Sequence, residues 1–155
     1  SARALPRGAG VDDARGFTLC AALWRISFTG AGVITGQVNA NREAIIPLTV
    51  HGTQSQTRDI EVIIDTGFDG FLTLPPSLID TFALPWRRRG RAVLADGSES
   101  LFDVYEATVM WDGNLRRVTV DSVDVAPLIG MALLDGYEMT IQAVRGGNVV
   151  ITVLP

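Results

Sequence analysis

From Val33 onward the chain is cut at short intervals by turn-forming pairs, and the pieces between them are too short and too rich in Val, Ile and Thr for a helical core. The pieces are GVITGQVN, EAIIPLTVHG, RDIEVIID, RRGRAVLAD, LFDVYEATVMWD, RRVTVDSVDV and GNVVITVLP. Several of them alternate apolar with polar residues, the period of a strand with one buried face. Asp-Gly pairs at 69–70, 96–97, 112–113 and 135–136, with Asn41 and Gly146-Gly147, supply the turns. The spacing predicts an all-β fold, a mostly antiparallel barrel or sandwich. Helix is confined to PPSLIDTF, with Pro76 and Ser77 near its start, and to GMALLDGY, which Gly136 should stop.

Residues 1–32 lack this pattern. Their apolar stretch FTLCAALW runs for eight residues before Arg25 and is too short to span a membrane. Arg15 ahead of it gives a weak likeness to a signal peptide, but the small-residue cleavage pattern is poor. The expectation is a leader over 1–32, disordered or fusion-like, and one folded domain over 33–155. With 155 residues, 47% hydrophobic and 19% charged, the chain has the material for a single core.

The formal charge of -4 gives the whole molecule no pull toward nucleic acid or an anionic membrane. Cys20 and His51 stand alone in their types, so an intrachain disulfide and a Cys-His zinc cluster are both excluded. A chain with one cysteine suits a reducing compartment, and the expected location is the cytoplasm.

Two stretches look like weak copies of each other. In IEVIIDTGFDGFLTLP, residues 60–75, an apolar strand reaches Asp65, turns at Thr66-Gly67 and continues apolar. VDVAPLIGMALLDGY repeats the arrangement with Ile129-Gly130 at the turn and no carboxylate. Such a duplication would bring the two glycine turns to one centre. Apolar VII at 62–64, DTG at 65–67, and LIG at 128–130 before a short apolar helix make the chain resemble the retropepsin-like aspartic proteases, over most of residues 33–155. The resemblance implies a closed acid-protease barrel with one or two short helices and one catalytic Asp per chain. It departs from the family at Phe68, where a small residue often follows DTG.

The chemistry asks for two acids. Peptide hydrolysis without metal, cofactor or covalent nucleophile needs one group to take a proton from water while another gives one to the carbonyl oxygen. Two carboxylates within about 3 Å share one proton and do both. Asp65 is the acid/base that the resemblance implies; the Thr66 hydroxyl is expected to fix the turn, and Gly67 to let the backbone approach the carboxylate. One DTG is half a site, so the resemblance implies a homodimer with Asp65 of each subunit on a two-fold axis. It also implies an intersubunit sheet of chain termini, a role that NVVITVLP suits, as it equally suits an ordinary core or edge strand.

An extended peptide is the expected substrate. The hairpin RAVLADGSESLFDVY is the candidate lid, with Asp96, Gly97 and Ser98 at its tip; Phe68, Asp69, Ile129 and Gly130 complete the expected substrate groove. Arg87, Arg88, Arg89 and Arg91 beside Trp86 read as a solvated strand, and His51 as a turn or surface histidine. Asp121 and Asp124 read as solvent-facing or turn residues on opposite faces of a strand. Two readings from other classes stand beside the enzyme: a catalytically silent dimerisation or peptide-binding module of the same fold, which Phe68 favours, and an unrelated β-barrel ligand binder with Asp65 on an ordinary turn.

Overall fold

Burial alternates along the strands as their sequences do. In AIIPLTVH, Ile46, Leu48 and Val50 are buried while Pro47, Thr49 and His51 are half-buried. Fully burying such a side chain contributes about 1.5–3 kcal/mol, which makes this period the main force that fixes strand register. A computed structural model describes residues 32–155, in which the strands are β1 (Val33–Val38), β2 (Ala44–His51), β3 (Thr57–Ile64), β4 (Leu72–Leu74), β5 (Trp86–Val93), β6 (Glu99–Trp111), β7 (Asn114–Ser122), β8 (Leu128–Ile129), β9 (Tyr137–Ile141) and β10 (Asn148–Val153). Helices α1 (Pro76–Thr81) and α2 (Met131–Leu134) stand where the two helical stretches were expected. The leader expected over 1–32, with Cys20, lies outside the described residues apart from Gly32, whose N–H donates to Asp112 Oδ1 at 2.7 Å.

The turns follow from local chemistry. Asp112 and Gly113 both have positive φ, 51° and 75°, the two-residue hairpin turn whose twist matches the strands it joins. It closes β6 on β7 with Trp111 opposite Asn114. Gly136, at φ 88°, turns the chain out of α2 and into β9.

All ten strands belong to one sheet, in the order β5-β6-β7-β4-β8-β3-β2-β1-β10-β9, and β6 also pairs with β2. Most pairings are antiparallel; β3–β8 and β4–β7 are parallel. The protein is therefore mostly β with two short helices. The run β6-β7-β4-β8-β3-β2 is joined at its ends through Thr49–His51 against Thr108–Met110, while β5 at one side and β1, β10 and β9 at the other extend the sheet beyond it. Inside lie Val62, Leu72, Leu74, Phe82, Val109, Val120, Ile129, Leu133, Val149 and Ile151, each fully buried.

Two expectations change here. NVVITVLP was suited to an intersubunit edge, but β10 is an internal strand, bonded to β1 from Val33↔Thr152 to Gln37↔Asn148 and to β9 from Val149↔Ile141 to Val153↔Tyr137. Both of its backbone edges are used within one chain. Asp121 is not solvent-facing: it lies half-buried near the end of β7, whereas Asp124 lies beyond the strand and is exposed. The sheet does not set these two on opposite faces of one strand, because β7 ends at Ser122.

Candidate active site

Asp65 is the first residue after β3, and it ends up where it does because the strand before it is clamped on both sides. Across one edge β3 pairs with β2, and across the other with β8, Ile63↔Leu128 and Ile64↔Ile129. The ladder extends one step past the strand, where Asp65 N donates to Ile129 O at 3.0 Å. The chain then turns. Phe68 N donates to Asp65 O at 3.1 Å, and Gly67 N donates to the Asp65 carboxylate, Oδ1, at 2.9 Å. An amide aimed at a carboxylate orients it without the aid of another side chain.

The two glycine turns do meet. Gly130 N donates to Phe71 O (3.2 Å), Met131 N to Phe68 O (2.8 Å) and Ala132 N to Gly70 O (3.2 Å). Carbonyls of the Asp65 turn thus accept from the first amides of α2, groups that a helix leaves without partners of its own. Gly130 is required by this contact: a Cβ there would fall 2.5 Å from Phe68 O and Phe68 Cδ1, and against Gly70 O. A Cβ on Gly67 would stand 3.2 Å from Asp65 Oδ1, tighter than an ordinary contact.

Phe68 has its own accommodation. Its ring lies over Gly70, where a Cβ would come within 2.6 Å of Cε2 and closer to Cζ, and it touches the space beside Gly130. A bulky side chain follows DTG in this chain because glycines at 70 and 130 leave room for it. Thr66 behaves differently from expectation: it is exposed, and its hydroxyl makes no hydrogen bond among the described residues, so backbone groups hold the turn.

The remaining expected residues are spread along the sheet. Asp69 is exposed beside Phe68. Asp96, Gly97 and Ser98 form the tip of the β5–β6 hairpin, where Leu94 N donates to Ser98 O (2.8 Å), Gly97 N to Leu94 O (2.8 Å), and Ser98 N and Oγ to Asp96 Oδ1 (2.8 and 2.6 Å). The Ser98 hydroxyl, with its amide, holds the Asp96 carboxyl below its ordinary range. No hydrogen bond joins this tip to the Asp65 turn among the described residues. The arginine run is a charged edge strand: Arg87 pairs with Glu106 (2.8 Å), Arg89 with Asp103 (3.4 Å) and Arg91 with Glu99 (3.1 Å). His51 ends β2, half-buried, its Nδ1 3.2 Å from Thr57 Oγ1.

Asp121, which the sequence reads as solvent-facing, has a different setting in the fold. Burial pushes its carboxyl above the ordinary range, the Arg88 guanidinium opposes that, and the Asp69 carboxylate adds to it. It stands in register with Val104 of β6 and Thr73 of β4. No motif marks it, because its setting comes from three strands that meet only in the fold.

No family model and no curated protein sequence matches the chain. Among solved structures, a retropepsin-like aspartic protease from Rickettsia conorii superposes with a TM-score of 0.52 at 14% identity, over 79% of this chain and 90% of that one. The chain has a retropepsin-like fold. The protease of EIAV, solved with the inhibitor HBY-793, aligns over 62% of this chain and 88% of its own at 15% identity, with a TM-score of 0.43. Within the retropepsin-like fold Asp65 directly follows β3, where β3 and β8 pair in parallel and their two turns interlock. No helix of the described residues is long and apolar enough to cross a membrane.

Proposed function

We propose that two copies of this chain form an aspartic endopeptidase, which hydrolyses peptide bonds by activating water between two Asp65 carboxylates, one from each subunit. The observation that carries the reading is the Asp65 turn itself. The carboxylate is oriented by the Gly67 amide at 2.9 Å, and its turn is joined to the Gly130 turn by backbone hydrogen bonds of 2.8–3.2 Å. That construction gives a rigid platform for an acid and uses only one of its oxygens; Oδ2 has no hydrogen-bond partner among the described residues. The retropepsin-like fold supports the same reading.

In this mechanism the ionised carboxylate takes a proton from the water as its oxygen attacks the peptide carbonyl carbon. The protonated carboxyl gives its proton to the carbonyl oxygen, and collapse of the tetrahedral species sends a proton to the leaving nitrogen. The β5–β6 hairpin serves as the lid over an extended peptide, with Asp69 and Phe68 at the groove beside the acid. No metal or cofactor takes part. We place the enzyme in the cytoplasm, on the strength of its single cysteine, Cys20. The silent-module reading drew its support from Phe68, and Gly70 and Gly130 remove that support by making room for the ring.

The test is cleavage of a peptide library by the purified chain and by Asp65→Asn. The wild type should cleave with a bell-shaped pH profile centred on the acidic side of neutrality, its two limbs belonging to the pair. The Asn variant should keep the fold and lose all cleavage. Activity in the variant, full activity at pH 9, or inhibition by a chelator would overturn the reading.

A further inference from the structure

One row of residues crosses the sheet in register from β3 to β5. Ile63 pairs with Leu128 of β8, Leu128 with Thr73 of β4, Thr73 with Asp121 of β7, Asp121 with Val104 of β6, and Val104 with Arg88 of β5. Residues paired in this way point to the same side of a sheet. It is the side away from the main core, because their neighbours in sequence, Val62, Ile129, Leu72, Leu74 and Val120, fill that core. Asp65 continues the pleat on the same side: Ile63 N and Asp65 N both donate toward β8, to Pro127 O at 2.9 Å and Ile129 O at 3.0 Å. The row therefore leads from the Asp65 turn to the root of the β5–β6 hairpin.

Asp121 is the acid on this row. It is half-buried, with Thr73 and Val104 in register on either side of it, both buried although neither belongs to the main core. Its carboxylate has no ion pair among the described residues. A carboxylate withdrawn from water in this way gains from a cation brought to it. Two charges lie near enough to act on it, the Arg88 guanidinium and the Asp69 carboxylate of the Asp65 turn. Arg87, Arg89 and Arg91 are paired with acids of β6, whereas Arg88 has no ion pair among the described residues. Two carboxylates against one guanidinium leave the strip with surplus negative charge when all three are ionised.

Resting on the peptidase reading above, we propose that Asp121 is a specificity-determining residue, which with Asp69 receives a lysine or arginine side chain of the extended peptide. A peptide laid along this side of the sheet beside Asp65 passes over the row. The aliphatic stem of a basic side chain lies along Val104 while its head meets the carboxylates. Asp121 stands three strands from Ile63, about 14 Å at the usual strand spacing, and an extended peptide advances about 3.4 Å per residue. Given the reach of a lysine or arginine, the chosen side chain lies about two to four residues from the scissile bond. Each subunit brings its own Asp121, so the two-fold axis repeats the preference at matching positions on both sides of that bond.

Cleavage of a peptide library by the full chain, with the products sequenced, tests this. The wild type should favour lysine or arginine over glutamine at those positions by about tenfold in kcat/KM, and Asp121→Asn should bring the ratio to within about threefold of one. Asp121→Lys should turn the preference toward glutamate. The ratio compares two peptides on one enzyme, so a merely structural defect, which slows both alike, does not move it. A library without basic preference, or a preference that Asp121→Asn leaves in place, overturns the assignment while cleavage still stands. Calorimetry with matched lysine and glutamine peptides on Asp65→Asn keeps the two readings apart. Tighter binding of the lysine peptide that a further Asp121→Asn removes, with no cleavage by the wild type, upholds Asp121 and sinks the peptidase. Neither cleavage nor preference in binding overturns both.

Discussion

At Phe68 a side chain and two glycines depend on one another. The ring meets the Gly70 position through its own flexible end, whereas the Gly130 position is crowded by backbone oxygens of Phe68 and Gly70 as well. Gly70→Ala should therefore cost about 1–3 kcal/mol in urea unfolding, and most of that should return when Phe68→Ala is added. Gly130→Ala should cost at least as much and recover little on adding Phe68→Ala, because the backbone crowding remains. Equal rescue at both positions would mean that the ring alone sets the spacing. At Asp121 the shift runs upward, so the native state binds the proton more tightly than the unfolded chain does. Its burial thus favours the fold at acid pH, and that advantage is lost as pH rises through the folded pKa. Asp121→Asn should raise stability at pH 7 and leave it unchanged at pH 3, where both states carry the proton. The DTG turn was legible in sequence because its chemistry is local. The room for Phe68 and the burial of Asp121 were not, since each depends on which strand lies alongside.

Among the elements, β6 does the most to connect the molecule. Its first half, Glu99–Tyr105, pairs with β5 in the hairpin, and further along the same strand Thr108–Met110 pair with β2 in the body. The strand also changes its buried face, from Val104 to Ala107, Val109 and Trp111, so the hairpin is carried on a continuous strand that is anchored in the core at its far end. The tip is held by Asp96. A carboxyl whose folded pKa is lowered contributes stability above its ordinary pKa, and that contribution is lost as pH falls through the lower folded value. The tip should keep its turn throughout the acidic range in which a carboxylate pair works. Ser98→Ala should move the Asp96 titration, followed by NMR, up toward the ordinary carboxyl range; an unmoved titration would show that the Ser98 amide alone sets it. Seven strands and both helices were readable because each carries its own period or caps. β4 and β8 were not, because at three and two residues they are strands only by virtue of their partners. β9 was hidden as well, since Tyr137, Met139 and Ile141 read as strand only once β10 pairs with them.

For the whole molecule the decisive fact is that one chain carries one DTG. If each subunit supplies half of the acid pair, activity belongs to the dimer and must follow the statistics of pairing. Asp65→Asn nearly preserves the shape of the side chain and removes like-charge repulsion across the axis, so mutant and wild-type chains should exchange and pair at random. An equal mixture then leaves about a quarter of the dimers with two native carboxylates. Activity plotted against the wild-type fraction, after exchange has been confirmed with a mass-tagged subunit, should follow the square of that fraction. Specific activity should fall on dilution as dimers dissociate, and saturating peptide should shift the fall to lower protein concentration, because substrate bound across two subunits stabilises their association. A straight line against the wild-type fraction, with no loss on dilution, would mean that each chain acts alone. Asp65 would then need a second acid from its own chain, and Asp69 and Asp121 are the carboxylates to substitute next.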